Sequence, residues 1–339
     1  MSNKLKTQML GFAAVNCRML VRGWHFSLAA EDAVVATLYY PADERRLNEA
    51  HLTGRVPALP PNPETGWPLV VIMPGINIAP DSYRWLAKRF VAEGLCAVTY
   101  SAIGSLGPAG NGITPGLDTS ALTPEAIGTR SCATVLRPLL QRIADADPND
   151  CPVAGSINLE QVVIGGHSAG GTVALHNSDP AWVPGLQGTF TYAAHTMVAS
   201  ALGHAEQTVL PVPAKVPLML LAGTQDQVIA VSRSRYRNSA DLGIHNPIKQ
   251  TFNEALNRNR NDSWFVELRD LGHFAICSPL DDTSGRSFLE GTTATTSPAS
   301  REFLGDLISA FVATVLKRQA VDQLERLVQN VLVTRYTRR

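Results

Sequence analysis

The amino-acid sequence predicts an α/β fold with a mostly parallel central sheet, and two observations support this prediction. Short, apolar runs recur at residues 68–73, 162–164 and 217–221, as is typical of strands that are buried on both faces of a parallel sheet. They alternate with stretches in which apolar residues follow helical spacing, such as residues 304–315. Strands that alternate with helices predict a parallel sheet that is covered by helices on both faces.

The N-terminal part of the chain predicts an antiparallel hairpin. Apolar and polar residues alternate over residues 17–28 and again over residues 33–40, on either side of the turn-like sequence Ala30-Glu31-Asp32. Such alternation is typical of strands with one buried face.

Glycine and capping residues indicate where the following elements begin and end. Gly94 can end a helix before a strand at residues 95–100. Thr123 can cap a helix whose apolar stripe extends to Ile143. Later strands are predicted at residues 161–164, 189–194, 217–221 and 264–268.

Composition and charge limit the class of protein. With 45% apolar and 17% charged side chains, the 339 residues can bury a large core. Basic and acidic residues number 29 each, which predicts no binding of nucleic acid. We expect a single domain over residues 1–339, with its core at 22–317, a pocket or lid loop at 101–122 and a helical extension at 318–339.

The cysteines and the N-terminus indicate the compartment. Five cysteines, an odd number without metal-ligand spacing, favour a reducing compartment. Asn16 and Arg18 interrupt the apolar residues 9–15 before a secretory signal develops. No run approaches the roughly 20 apolar residues of a membrane span. We expect a cytoplasmic protein without a transmembrane segment. The apolar, basic-ended residues 320–339 favour a helix packed on the core of the chain, with a dimer contact or a peripheral membrane contact as alternatives.

Gly166-His167-Ser168-Ala169-Gly170 carries the strongest chemical signal, because it matches the nucleophile-elbow pattern G-x-S-x-G. In this pattern a serine occupies a sharp turn between strand and helix, and the two glycines allow the close approach of the flanking backbone. An apolar strand precedes the motif and a plausible helix follows it. Ser168 is therefore the candidate nucleophile.

A serine nucleophile needs a base and an orienting carboxylate, which follow such an elbow in the order acid, then histidine. Asp226 follows the predicted strand at residues 217–221, and His273 follows the one at 264–268. We predict that Asp226 is the acid and His273 the base. His167 adjoins the serine, but adjacent side chains on a tight turn point apart, which favours packing or a supporting role.

The stabilisation of an oxyanion requires two hydrogen-bond donors near the nucleophile. The backbone N–H of Ala169 lies at a helix N-terminus, and the loop after residues 68–73 can supply the N–H of Ile76. Asn77, His195 and Met197 are the candidate residues of the substrate pocket.

These motifs resemble the α/β-hydrolase superfamily over residues 22–317. The segments PLVVIMPGI, GGHSAGG, LLAGTQDQV and LRDLGHF are similar to the branch that includes dienelactone-hydrolase-like proteins, platelet-activating-factor acetylhydrolases, cutinase-like polyester-cleaving enzymes and chlorophyllases. The resemblance implies the α/β-hydrolase fold and a serine esterase that acts on carboxylic esters. Leu280-Asp281-Asp282 and the residues after it are similar to the stretch that follows the catalytic histidine of chlorophyllases, which cleave the phytyl ester of chlorophyll.

The chain departs from these families at three positions. Pro74 stands where many members carry a histidine in the oxyanion loop, and Ala169 stands where chlorophyllases commonly carry an arginine. Ser168 replaces the cysteine nucleophile of dienelactone hydrolases proper.

The expected activity is the hydrolysis of small, lipophilic carboxylic esters without a metal or an organic cofactor. An acyltransferase or thioesterase with the same three residues is an alternative, since only the substrate or the acyl acceptor differs. A binding protein on this scaffold is a further alternative, because a fold does not imply a function.

Overall fold

A computed structural model describes residues 10–15, 21–22, 33–43, 64–105, 111–146, 154–198, 200–232, 246–280 and 296–339. In this part of the chain eleven strands form one sheet. The strands are β1 (Leu10–Val15), β2 (Val21–Arg22), β3 (Ala33–Asp43), β4 (Trp67–Met73), β5 (Cys96–Ser105), β6 (Asn111–Thr114), β7 (Ile157–His167), β8 (Leu186–Tyr192), β9 (Leu218–Gly223), β10 (Ser263–Leu268) and β11 (Val333–Arg338).

The described residues also form α-helices and several single 3₁₀ turns. The helices are α1 (Arg84–Ala92), α2 (Leu136–Ala144), α3 (Ala169–His176), α4 (Gln227–Ser232), α5 (Pro247–Glu254), α6 (Pro298–Val315) and α7 (Val321–Leu327). None of these helices combines the length and the apolar character that a membrane crossing requires.

The sheet is mixed, with a parallel centre and antiparallel edges. Its strand order is β1-β3-β5-β4-β7-β8-β9-β10-β11, with β2 also paired to β3 and β6 paired to β5. The neighbours from β5 through β4, β7, β8 and β9 to β10 are parallel. The remaining pairs are antiparallel. The prediction of an α/β fold with a mostly parallel central sheet is therefore confirmed.

Apolar side chains cover both faces of the sheet, as the wholly apolar strands predicted. In β4, Val70 and Ile72 face a cluster that includes α1, α6 and α7. Leu69 and Val71 of the same strand face a cluster that includes α2 and α3. Alternate side chains of one strand point to opposite faces, so each strand stabilises both layers.

The N-terminal strands pair differently from the predicted hairpin. Val21 and Arg22 pair with β3, as the hairpin requires, but residues 16–20 and 23–32 lie outside the described residues. Strand β1 lies N-terminal to the predicted hairpin and pairs with β3 over six residues. Alternation predicted β3 correctly, whereas the residues of β1, LGFAAV, do not alternate between apolar and polar and were not recognised as a strand.

The helix predicted from Thr123 begins later, at Leu136. Gly128 adopts a φ of +75°, which interrupts a right-handed helix, and Ala133 forms a β-bridge with Leu117. The apolar stripe was predicted correctly as a buried face, but the residues before 136 form turns instead of helix.

The predicted loop at residues 101–122 contains strand structure. Residues 101–105 complete β5, and β6 pairs with them in an antiparallel arrangement. Residues 106–110 lie outside the described residues. A 3₁₀ turn at Thr119–Leu122 follows, with the Asp118 carboxylate as its N-cap acceptor.

The helical extension predicted at residues 318–339 is only partly helical. Helix α7 ends by Val328, and the Asn330 side chain then accepts the N–H of Leu332 in a turn. Residues 333–338 form β11 on the edge of β10. Their valine, threonine and tyrosine side chains favour strand over helix. The helical spacing of the preceding apolar residues led to the prediction of a helix through this segment as well.

Candidate active site

Ser168 occupies the turn between β7 and α3. Its φ of 54° and ψ of −123° lie outside the conformations that side chains with a Cβ ordinarily adopt. The strand and the helix hold it there, because its N–H donates to the Tyr192 carbonyl and its carbonyl accepts the N–H of Thr172, each at 3.0 Å. A strained residue that the surrounding structure fixes in this way is typical of a functional site.

The two glycines of the elbow are required by close contacts between backbone atoms. A Cβ on Gly166 would lie 2.4 Å from the carbonyl carbon of Gly170. A Cβ on Gly170 would lie 2.4 Å from the Met73 carbonyl oxygen. The elbow therefore packs directly against the loop after β4, which carries Ile76.

Asp226 and His273 meet beside this elbow, as the sequence predicted. The His273 Nδ1 atom lies 2.9 Å from Oδ2 and 3.1 Å from Oδ1 of Asp226. Both side chains are buried. The Asp226 carboxylate also accepts the N–H of Ile229 at 2.8 Å, which fixes it at the start of α4.

His167 connects the His273 loop to the elbow. It directly precedes Ser168, its Nε2 atom lies 3.0 Å from the His273 carbonyl oxygen, and the two rings are 4.7 Å apart between centroids. It is fully buried. Burial, together with the neighbouring His273, lowers the pKa of His167 well below its ordinary value. The prediction of a supporting role rather than that of a base agrees with these contacts.

A cavity of about 280 Å³ opens beside Ser168 and Ala169. Ile76, His195 and Met197 also line it, as predicted. Its walls come from the segments that follow the carboxyl ends of the parallel strands β4, β7, β8 and β9, where ligand sites of parallel sheets lie, and from the residues after β6. The apolar wall residues include Leu117, Leu122, Val198, Leu202, Val228 and Ile229.

Asn77 is not a pocket residue, which corrects the prediction. It is exposed, and its Oδ1 accepts the N–H of Ile113 at 3.1 Å while its own N–H donates to the Ile113 carbonyl at 2.9 Å. Its φ of 57° turns the side chain toward β6. Asparagine tolerates this conformation better than most residues, so Asn77 attaches the loop that carries Ile76 to β6.

His195 presents a neutral imidazole at the cavity. Burial lowers its pKa to about 4, an effect that Asp226 partly offsets and His273 reinforces. The Met197 N–H donates to its Nδ1 atom at 3.2 Å, so the ring proton resides on Nε2. Its carbonyl oxygen accepts from the Thr172 hydroxyl at 2.8 Å, which ties it to α3.

Two tyrosines that the sequence did not assign to the site support its loops. The Tyr83 hydroxyl contacts both the Gly75 N–H and the His167 ring, each at 2.9 Å. The Tyr192 hydroxyl donates to the Gly272 carbonyl at 2.5 Å. A buried tyrosine needs a partner for its hydroxyl. The sequence could therefore indicate that a buried tyrosine has a hydrogen-bond partner, but not which residue that partner is.

Comparisons with known proteins add no family to this geometry: no protein-family model matches the chain, and no curated protein matches it significantly in sequence.

Proposed function

We propose that the chain is a serine hydrolase of the α/β-hydrolase superfamily, resembling its esterase branch, and that it cleaves carboxylic esters in the cytoplasm. The observation that supports this most directly is the pairing of Asp226 with His273 beside a strained Ser168. Ser168, Asp226 and His273 lie on three separate loops that follow the carboxyl ends of β7, β9 and β10. A histidine that is hydrogen-bonded to a carboxylate and a serine in a positive-φ turn are the components that acyl transfer requires.

In the proposed first step, the Ser168 Oγ attacks the acyl carbon of the ester. The Asp226 carboxylate holds the proton on Nδ1 of His273, so Nε2 is the basic atom that accepts the hydroxyl proton. The N–H groups of Ile76 and Ala169 stabilise the negative oxygen of the tetrahedral intermediate. Its collapse breaks the bond to the leaving alcohol, which takes the proton from Nε2.

In the second step, water replaces the alcohol. Nε2 of His273 removes a proton from the water as it attacks the acyl-serine. The carboxylic acid then leaves and Ser168 regains its hydrogen. No group other than these residues and water is needed for the balance of atoms and charge.

The cavity supports an apolar substrate. Eleven of the sixteen lining residues are apolar, and the polar side chains are those of Thr119, Ser168, Thr172, His195 and Ser232. Apolar walls with few polar groups are typical of sites that bind small lipophilic molecules. The volume of about 280 Å³ favours one short or medium-length apolar group of the ester.

A fluorophosphonate probe tests the proposal without assuming a substrate, because it reacts with an activated serine. Folded wild-type protein should be labelled at Ser168, located by peptide mass spectrometry, and His273→Ala should lose the label. Ser168→Ala and heat-denatured protein are the controls for the site and for folding.

A panel of p-nitrophenyl esters of increasing acyl length, followed by phytyl esters, then measures the activity. Hydrolysis by wild type and its loss in His273→Ala are expected. If folded protein neither takes label at Ser168 nor hydrolyses any ester of the panel, the proposal is wrong and a binding role replaces it. Faster acyl transfer to an added alcohol than to water would identify the acyltransferase alternative.

A further inference from the structure

We propose that Tyr83 and His167 are positioning residues that join the oxyanion loop to the loop of the catalytic base, so that both are held in register by one buried chain of hydrogen bonds. This inference rests on the proposed function. It assigns a role to two residues that the acyl-transfer mechanism itself does not use.

The chain consists of three consecutive contacts. The Gly75 N–H donates to the Tyr83 hydroxyl oxygen at 2.9 Å. The Tyr83 hydroxyl lies 2.9 Å from Nδ1 of His167. Nε2 of His167 lies 3.0 Å from the carbonyl oxygen of His273. The two ends are thus the residue before Ile76 and the base itself.

The chemistry of the ends fixes the direction of every proton. The His273 carbonyl can only accept, so Nε2 of His167 must carry the hydrogen. A neutral imidazole then accepts at Nδ1, and the Tyr83 hydroxyl must donate to it. The tyrosine oxygen is left to accept the Gly75 N–H. Within these three contacts each donor has one acceptor, and the Cys277 thiol is a further hydrogen-bonding group beside Tyr83 and Nδ1 of His167.

Burial keeps the chain in this one state. Tyr83 and His167 are fully buried. Burial lowers the pKa of His167, and the adjacent His273 reinforces this effect. Burial also raises the pKa of Tyr83, with Cys277 as a second cause. The Cys277 Sγ atom lies 3.9 Å from Nδ1 of His167 and is the other titratable group at this position.

The consequence is positional. A displacement of the His273 backbone changes the aim of Nε2 at Ser168, and a displacement of Gly75 changes the aim of the Ile76 N–H. Misplacement of catalytic groups by about 1 Å lowers rates on the order of 100-fold. We therefore expect these residues to influence kcat more than KM.

A matched pair of substitutions at His167 tests the connection to the base loop. The amide nitrogen of glutamine reaches the position of Nε2 and can donate to the His273 carbonyl. The shorter asparagine reaches only the position of Nδ1. Glutamine places no acceptor at the position of Nδ1, so it keeps only the contact with the base loop. With p-nitrophenyl butyrate as substrate, His167→Gln should lose less kcat than His167→Asn, which should lose about 10- to 100-fold.

Tyr83→Phe tests the other end of the chain, and Tyr40→Phe is its control. Tyr40 is also buried, but it lies on β3 beside the amino end of β5. The site lies at the other end of the parallel strands, beyond their carboxyl ends. Tyr83→Phe removes a buried, hydrogen-bonded hydroxyl and should melt at a lower temperature than wild type. Only Tyr83→Phe should lower kcat, by about 10- to 100-fold with KM changed less than about 3-fold.

The outcomes separate this inference from the proposed function. If wild type is labelled at Ser168 but Tyr83→Phe matches Tyr40→Phe in kcat, the positioning role is wrong while the esterase proposal stands. If both His167→Gln and His167→Asn keep kcat within about 5-fold of wild type, it is overturned as well, and this pair decides if Tyr83→Phe does not fold. If wild type shows neither labelling nor ester hydrolysis, the proposed function fails and the positioning role fails with it.

Discussion

Replacing Asp226 with asparagine separates the orientation of His273 from the stability of the fold. The Asp226 Oδ1 atom accepts the Ile229 N–H at the start of α4, and an asparagine oxygen can accept the same hydrogen bond, since asparagine is as good an N-cap as aspartate. The amide nitrogen of the new side chain must then face Nδ1 of His273. Because an amide N–H donates, Nδ1 becomes an acceptor and the ring proton moves to Nε2.

The expected magnitude follows from this change of tautomer. A proton on Nε2 prevents the ring from accepting the serine hydrogen, and an aspartate-to-asparagine change with this effect in a serine protease lowers kcat about 10⁴-fold. Since both carboxylate oxygens of Asp226 contact Nδ1, we expect a loss of about 10³- to 10⁴-fold, or roughly 4–5 kcal/mol of transition-state stabilisation. The melting temperature should change by less than about 4 °C.

The assay compares kcat on p-nitrophenyl butyrate with thermal melting for Asp226→Asn and for the control Asp306→Asn. Asp306 pairs with Arg89 on the surface, away from the cavity, and its substitution should leave kcat unchanged. A kcat for Asp226→Asn within tenfold of wild type in folded protein would refute the role assigned to this carboxylate.

Three further predictions follow from the site and its surroundings. Ile76→Pro removes the proposed oxyanion donor and should lower kcat about 10²- to 10³-fold, whereas Ile76→Ala keeps the N–H and should mainly raise KM in the same ester assay. Gly170→Ala places a Cβ 2.4 Å from the Met73 carbonyl oxygen and should destabilise the fold by at least 1–3 kcal/mol in urea unfolding, while Gly305→Ala meets only movable side-chain atoms and should cost less. Burial lowers the pKa of His176 to about 4 from an ordinary 6.5, so this histidine binds more protons in the unfolded chain between these values. It should contribute about 3 kcal/mol to the fall in the free energy of unfolding as the pH drops from 7.5 to 4, beside the contributions of the buried His167 and His195; a decline in His176→Phe equal to that of wild type would contradict this assignment.

The sequence predicted the parallel centre of the sheet well because its strands are apolar on both faces, a pattern that few other elements share. The turn with Ser168 was equally predictable, since close backbone contacts require glycine at its two flanking positions, and the structure contains these contacts. The pairing of Asp226 with His273 followed from their places after two such strands.

Long-range pairing explains what the sequence could not show. Strand β11 forms because β10 offers it an edge, and no local pattern in residues 333–338 reveals that partner. Asn77 was assigned to the pocket because it follows Ile76, but its positive φ turns it toward Ile113. The buried contact between Tyr83 and His167 likewise joins residues that are 84 positions apart.

The two hydrogen bonds between Asn77 and Ile113 give the site a mechanical sensitivity to ligand size. Strand β6, which carries Ile113, leads directly into the turn that walls the cavity at Leu117 and Leu122. A ligand too bulky for the cavity would push this wall outward, and the strain would pass through Asn77 to the loop that holds Ile76. In the proposed mechanism, an oversized ester would thereby displace the donor needed for its own cleavage, so the proposed hydrolase would select against it in the rate of reaction even where it can bind.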